Sequence, residues 1–178
     1  MLESKTVNLR VAEKEDLSFA LEWVNNLEFL GQYQFMPQRS KADLEKMYDN
    51  TGPEEKMFFV EKKNGIKIGN IGHRPVGKAQ EISYNMLPSE RGKGYCSEAV
   101  NIMVDYSFLS RESRRIQAHT DLRNVASQKV LEKVVFKKEG TLRKNFFVRG
   151  EWRDAYLYSI LREEWKEPKI LTKTVQHQ

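Results

Sequence analysis

The sequence predicts a single α/β domain, and three observations predict it: two β-type runs joined by Asn64-Gly65, a third strand that leads through a glycine-rich loop into a helix, and strand and helix patterns that keep alternating afterwards. The chain has 178 residues with 39% hydrophobic content, enough for one core and too little for two well-developed ones. No stretch approaches the roughly 20 apolar residues needed to cross a bilayer, and the start MLESKTVNLRVAEKEDL lacks the apolar run of a signal peptide. A soluble, cytoplasmic protein without a membrane partner is expected.

Each element has its own signal. Thr6–Arg10 alternates as a strand, and AEKEDLSFALEWVNN then places Leu17, Ala20, Leu21 and Val24 at helical spacing. Gly31 and Pro37 mark irregular chain before Ser40 caps a short helix through about Tyr48, which Thr51-Gly52-Pro53 stops. MFFVEKK and KIGNIGH form a hairpin around Asn64-Gly65. A strand follows from about Gln80 to Leu87, after the turn-like RPVGK. PSERGKGYCSEAVNIMVDYSF passes from a loop into a helix whose Ala99, Ile102, Met103 and Tyr106 share a face. Arg114–Thr120 reads as a strand and 124–133 as a helix. A short run near Val134–Glu139, a break at Gly140, a hairpin around Arg149-Gly150 and a strand from Ala155 to Leu161 complete the pattern.

Composition narrows the chemistry. Thirty Lys and Arg against 25 Asp and Glu give a formal charge of +5, which favours an anionic ligand. There is no zinc-finger spacing, RNP-like aromatic pair or basic helix, so direct nucleic-acid binding is not expected. One cysteine and three scattered histidines, His73, His119 and His177, do not have metal-ligand spacing, and no metal is expected.

The sharpest local feature is Arg91-Gly92-Lys93-Gly94-Tyr95-Cys96, between a strand and a helix. Glycines allow close backbone approach, and the first helical N–H groups have no partner within the helix. Such a loop can cradle phosphate oxygens, with the helix dipole and the charges of Arg91 and Lys93 adding to the attraction. It is neither a Walker A loop nor a Rossmann fingerprint. A tight turn without a ligand is the competing reading.

This loop resembles that of the GNAT acetyltransferase superfamily, and more closely its RimJ/RimL-like branch of ribosomal-protein N-terminal acetyltransferases. The family motif is Gln or Arg, two residues, Gly, one residue, Gly or Ala; Arg91, Gly94 and Cys96 occupy those positions, with Cys96 in place of the small residue. HTDLRNVASQKVLEKVVFKKEG is similar to the family segment in which an Asn and a Ser or Ala begin a helix beside the cofactor. Asn124, Ser127 and Phe136 match it, and Val135 stands where the family has glycine. GEWRDAYLYSILREEW resembles the closing region of the branch, including Trp152 and Asp154.

The resemblance implies a GNAT (acyl-CoA N-acyltransferase) domain over 1–166 with a tail at 167–178, built as a mixed twisted sheet with helices on both faces and split near the loop. It implies acetyl-CoA as cosubstrate. Backbone groups at Met86 and Leu87 would hold pantetheine, Arg91, Gly92, Lys93, Gly94, Tyr95 and Cys96 would hold pyrophosphate, and Asn124 and Ser127 would fix the cofactor arm.

Acetyl transfer to an amine needs a neutral nucleophile, a held thioester and a proton route. Glu81 resembles the carboxylate proposed as general base in related enzymes; a solvated carboxylate at a strand end is its ordinary reading. Alternation places Glu81, Ser83 and Asn85 together, opposite Ile82, Tyr84 and Met86. Ser127 matches the serine suggested to protonate the departing thiolate, although serine in a first helical turn also serves as a cap. Tyr158 is a competing acid, or a packing residue with a hydrogen-bonded tip. His73 and His119 read as structural. Cys96 has no readable histidine partner, so direct transfer in a ternary complex is favoured over an acyl-enzyme.

The leading acceptor is the α-amine of a protein or peptide N-terminus, such as that of a ribosomal protein. A small amine, whether antibiotic, polyamine or amino-acid derivative, is the rival, and the acidic DLEKMYDNTGPEE would attract a cationic one. A non-catalytic acyl-CoA sensor is the alternative from another class. A monomer or homodimer is expected.

Overall fold

Eight strands form one sheet in the computed structural model, which describes residues 1–170. In chain order they are β1 (Leu2–Glu3), β2 (Val7–Val11), β3 (Lys56–Lys62), β4 (Lys67–Val76), β5 (Ala79–Met86), β6 (Arg115–Asp121), β7 (Lys137–Val148) and β8 (Glu151–Leu161). The helices are α1 (Leu17–Asn25), α2 (Leu27–Leu30), α3 (Lys41–Asp49), α4 (Tyr95–Ser110) and α5 (Val125–Lys133). The sheet order is β1-β2-β3-β4-β5-β6-β8-β7, and β5 with β6 is the parallel pair in an otherwise antiparallel ladder.

Register sorts the side chains into two layers. Phe58, Ile71 and Tyr84 are cross-strand partners and face one way; Phe59, Asn70 and Asn85 are partners and face the other. The first face packs on α4 and α5 in a core that includes Ile82, Val100, Met103, Leu131 and Tyr158. The second packs Phe59 against Trp23 and Phe29, from α1 and α2, with Trp23 and Phe29 stacked at 4.5 Å. Helices therefore cover both faces, as the sequence predicts.

Local chemistry explains most boundaries. Ser40 and Asp43 form a reciprocal capping box on α3. Gly65, at φ 82°, closes the β3–β4 turn, and Arg149 and Gly150, both at positive φ, close the β7–β8 turn. Gly140 does not break the chain as expected. It lies inside the continuous β7, where the register shifts between Lys138 and Gly140, so it acts as a bulge. RPVGK likewise begins in β4, and only its end turns.

Gly69 is required by a close approach. A Cβ there would meet the Asn85 carbonyl oxygen at 2.4 Å and Met86 Sδ at 2.5 Å, so glycine lets the end of β5 lie against β4. After α4, the Asp105 carboxylate gathers the indole N–H of Trp165 at 2.8 Å and the amide of Ile170 at 2.8 Å. The docked chain thus extends past Lys166, while 171–178 of the expected tail lie outside the described residues.

The feature that makes a site is a failure of pairing. β5 and β6 are matched only at Gln80 with Ile116 and Glu81 with Gln117. Beyond Glu81 the two strands diverge, leaving a wedge whose walls are Ile82–Met86 on one side and 118–121 on the other. No helix among the described residues is long and apolar enough to cross a membrane.

Candidate active site

At the open end of the wedge stands the glycine-rich loop. Gly92 and Gly94 have φ of 75° and 86°, and Gly94 is the N-cap of the 16-residue α4. A Cβ added at either would meet no atom within 4 Å, so the inner side of the loop is open. Glu98 N bonds to Gly94 O, which leaves the amides of Tyr95, Cys96 and Ser97 at the helix start for an anion. The geometry fits a diphosphate held by main-chain donors.

The arginine of the loop has a different task from the one its charge suggests. Arg91 Nε donates to Met86 O at 3.0 Å and its Nη2 to Phe29 O at 2.9 Å, so the guanidinium ties the loop to the end of β5 and to α2. Lys93 pairs with Glu90 at 3.1 Å, and Glu90 also binds Lys62 at 2.7 Å. Met86 is buried, and the Leu87 amide is committed to Ile68 O. The main-chain groups facing the wedge at this strand end are consequently few.

On the face of α4 and α5, the Asn124 side chain caps α5 by accepting from Ser127 N at 3.2 Å. Ser127 Oγ lies 2.9 Å from the hydroxyl of Tyr84, which reaches over from the splayed part of β5. Burial, with Cys96 as a close neighbour, pushes the Tyr84 phenol well above its ordinary value, so it stays protonated. The Cys96 thiol is pushed up to about 12 by burial, and a thiol held neutral is no acyl carrier.

Tyr158 is not brought to Ser127 by any hydrogen bond. It is fully buried and donates to Glu132 Oε1 at 2.9 Å, with burial the main cause that lifts its phenol to about 12. Tyr84 is the tyrosine that meets Ser127, and the sequence reading missed it. Alternation places Tyr84 among inward apolar residues, and nothing in linear spacing connects positions 84 and 127.

Glu81 lies on the opposite face, at the closed end of the wedge, and is not the solvated carboxylate of its ordinary reading. Its Oε1 accepts from Arg74 Nη2 at 2.7 Å and Nε at 3.2 Å, while Oε2 faces His119 Nδ1 at 3.0 Å and Gln117 Nε2 at 3.4 Å. The hydrogen bonds from His119 and then Arg74 hold its carboxyl down to about 2, against the opposing effect of burial. His73, by contrast, is a core residue: its Nδ1 meets Gln80 Oε1 at 3.2 Å between Phe58 and Tyr106, and burial lowers its pKa.

The far rim is assembled from two distant segments. Arg149 donates to Gly31 O at 2.9 Å, Arg153 to Gln32 O at 3.0 Å, and the Tyr33 hydroxyl to Arg123 O at 2.9 Å. The chain after α2 is thereby tied to the β6–α5 connection and the β7–β8 hairpin. Among the described residues no cluster of His, Cys, Asp and Glu could hold a metal ion.

A mixed sheet splayed at its one parallel pair, with a glycine-rich helix start at the splay, defines an acyl-CoA-binding transferase. The chain belongs to the GNAT acetyltransferase family, matching the family described as "Acetyltransferase (GNAT) domain" over residues 6–137. It is similar to the uncharacterized N-acetyltransferase p20 of Bacillus licheniformis, 29% identical with 92% of this chain and 97% of that protein covered. The crystal structure of a spermidine N-acetyltransferase from Vibrio cholerae in complex with CoA and spermine superposes with a TM-score of 0.80 at 27% identity, covering 89% of this chain and 96% of that one. A ribosomal-protein-S5-alanine acetyltransferase from Vibrio fischeri superposes at 0.77 with 26% identity, covering 94% and 100%. The protein is an acetyl-CoA-dependent N-acetyltransferase.

Proposed function

We propose that the acceptor is the α-amine of a peptide or protein N-terminus. One observation carries this reading: the carboxylates of the sheet that border the opening are already neutralised by cations. Glu81 is paired with Arg74, Asp121 with Arg123 and Arg153, and Glu151 with the same two arginines. The acidic stretch singled out in the sequence is largely engaged as well, with Asp43 capping at Ser40, Asp49 on Lys14 and Glu54 on Arg111. A polyamine needs free carboxylates for its second and third ammonium groups, whereas a peptide terminus presents one amine and a polar backbone.

In this reading the neutral amine attacks the thioester carbonyl carbon, a C–N bond forms, the C–S bond breaks with its electron pair passing to sulfur, and the nitrogen, cationic once the C–N bond has formed, sheds one proton to become the amide. The amides at the start of α4 hold the diphosphate, and the Tyr84 and Ser127 hydroxyls supply a hydrogen bond and a proton to the leaving thiolate. The favoured site of action is the cytoplasm.

The second reading, a polyamine acceptor, is favoured by the similarity to the Vibrio cholerae spermidine enzyme. Incubation with labelled acetyl-CoA and a mixture of N-terminal peptides, spermidine and other small amines separates the two by mass spectrometry. Acetylated peptide with matching CoA release supports the first reading, and acetylspermidine as sole product replaces it with the second.

A further inference from the structure

The proton of the attacking amine must go to a group with a free lone pair. An ionised carboxylate offers about four acceptor positions, two on each oxygen. At Glu81 three are taken by hydrogen bonds, from Arg74 Nε and Nη2 on Oε1 and from Gln117 Nε2 on Oε2, and His119 Nδ1 stands over the fourth at 3.0 Å from Oε2. A carboxylate tied in this way has to lose a partner before it takes a proton.

His119 is the partner that looks outward. It stands on β6 one alternation beyond Gln117, at the start of the wedge and on the same face as Glu81. Its Nδ1 lies against Glu81, and among the described residues its Nε2 has no hydrogen-bond partner and is not sealed in the core, the side chain being 19% exposed. A carboxylate on Nδ1 fixes the neutral ring as the Nδ1–H tautomer and leaves the Nε2 lone pair for a proton. The same carboxylate stabilises the imidazolium that results. We infer that His119 is the group that takes the amine's proton, with Glu81 as the positioning residue behind it.

The surroundings suit this role. The ring meets Glu81 from β5 and Phe146 from β7, with ring centroids 6.5 Å apart; Gln117 and Asp121 share its face of β6, and Leu157 of β8 is its cross-strand register partner. Arg74 of β4 acts on it only through Glu81, and Asp121 is occupied by Arg123 and by Arg153 of β8. Before attack, the proton passes from the acceptor's ammonium nitrogen to His119 Nε2; the freed nitrogen pair then forms the C–N bond. The sulfur receives its proton from the Tyr84 and Ser127 side, the nitrogen sheds its second proton to water as the amide forms and that proton makes good the hydroxyl pair, and His119 later returns its own to water. The inference rests on acetyl transfer itself and not on which amine is the acceptor.

Two measurements test it on the whole chain. Long-range proton–nitrogen NMR of the histidine rings, with His119→Gln for assignment, is expected to show the neutral His119 ring protonated at Nδ1; a ring protonated at Nε2 overturns the inference. Steady-state rates are measured with whichever amine of the peptide and polyamine panel is turned over. His119→Gln is expected to lower kcat/KM by about 100-fold or more and to remove the acid limb of the pH–rate profile, with acetyl-CoA Kd by calorimetry kept within about twofold. Glu81→Gln is expected to lose about tenfold and to let the neutral His119 ring populate the Nε2–H tautomer in the same NMR experiment. A His119→Gln variant that binds acetyl-CoA and keeps its rate and acid limb overturns the inference, whichever acceptor proves correct.

Discussion

The Tyr84 hydroxyl and Ser127 Oγ stand 2.9 Å apart, joining the splayed half of β5 to the first turn of α5. The pair lies on the face of the sheet opposite Glu81 and His119. The proposed proton donors and the proposed proton acceptor are thus set on the two sides of one wedge.

From this pair follows a kinetic expectation. Tyr84→Phe and Ser127→Ala should each lower kcat by about 10- to 100-fold with little change in the KM of the acceptor. The double variant should lose scarcely more than the worse single one, because the two hydroxyls act as a unit. Fully additive losses in a steady-state assay of the four proteins would refute a shared role.

The conformation of Gly94 predicts an effect on the cosubstrate. Its φ of 86° is unfavourable for any residue with a Cβ, although no atom lies within 4 Å of where that Cβ would be. Gly94→Ala therefore strains the backbone without a clash, by about 1–2 kcal/mol, and relief comes from moving the loop amides. Calorimetry should show acetyl-CoA Kd raised by roughly tenfold, with the far-ultraviolet circular dichroism of the protein unchanged.

Val135 should be improvable. It has φ 63° and is 64% exposed, so a β-branched side chain is held in the left-handed region while packing little. Val135→Gly is expected to stabilise the fold by about 1 kcal/mol, raising Tm by about 2–4 °C in a thermal melt. A fall in Tm would mean that the valine side chain contributes more than its exposure indicates.

Acid stability should report on Glu81. Its carboxyl is lowered from 4.5 to about 2, so the stabilisation it provides is complete above pH 4.5 and is lost as pH falls from there through 2. With the side chain only 13% exposed, the contribution at neutral pH is at most about 3 kcal/mol. Urea unfolding should find Glu81→Gln less stable than the parent at pH 7, with the gap shrinking by pH 3.

Much of this was legible in linear form because it depends on local chemistry. The Ser40 cap, the Asn64-Gly65 turn and the loop from Arg91 to Cys96 each depend on residues a few positions apart. Val135 in the position of a family glycine signalled an unusual turn before the structure placed it at positive φ. Gly140 misled, because a glycine that ends a strand and one that bulges it carry the same local signal.

What the sequence by itself determined is the order of elements, the α/β class, the glycine-rich helix start and, through family resemblance, acetyl transfer from acetyl-CoA. What only the tertiary structure decided is which side chains meet: Tyr84 rather than Tyr158 with Ser127, His119 with Glu81, and Arg91 with the carbonyls of Met86 and Phe29. The physical reason is the split between β5 and β6. Pairing that stops at Glu81 and Gln117 sets where two strands part, and residues more than 30 positions apart become neighbours around the gap.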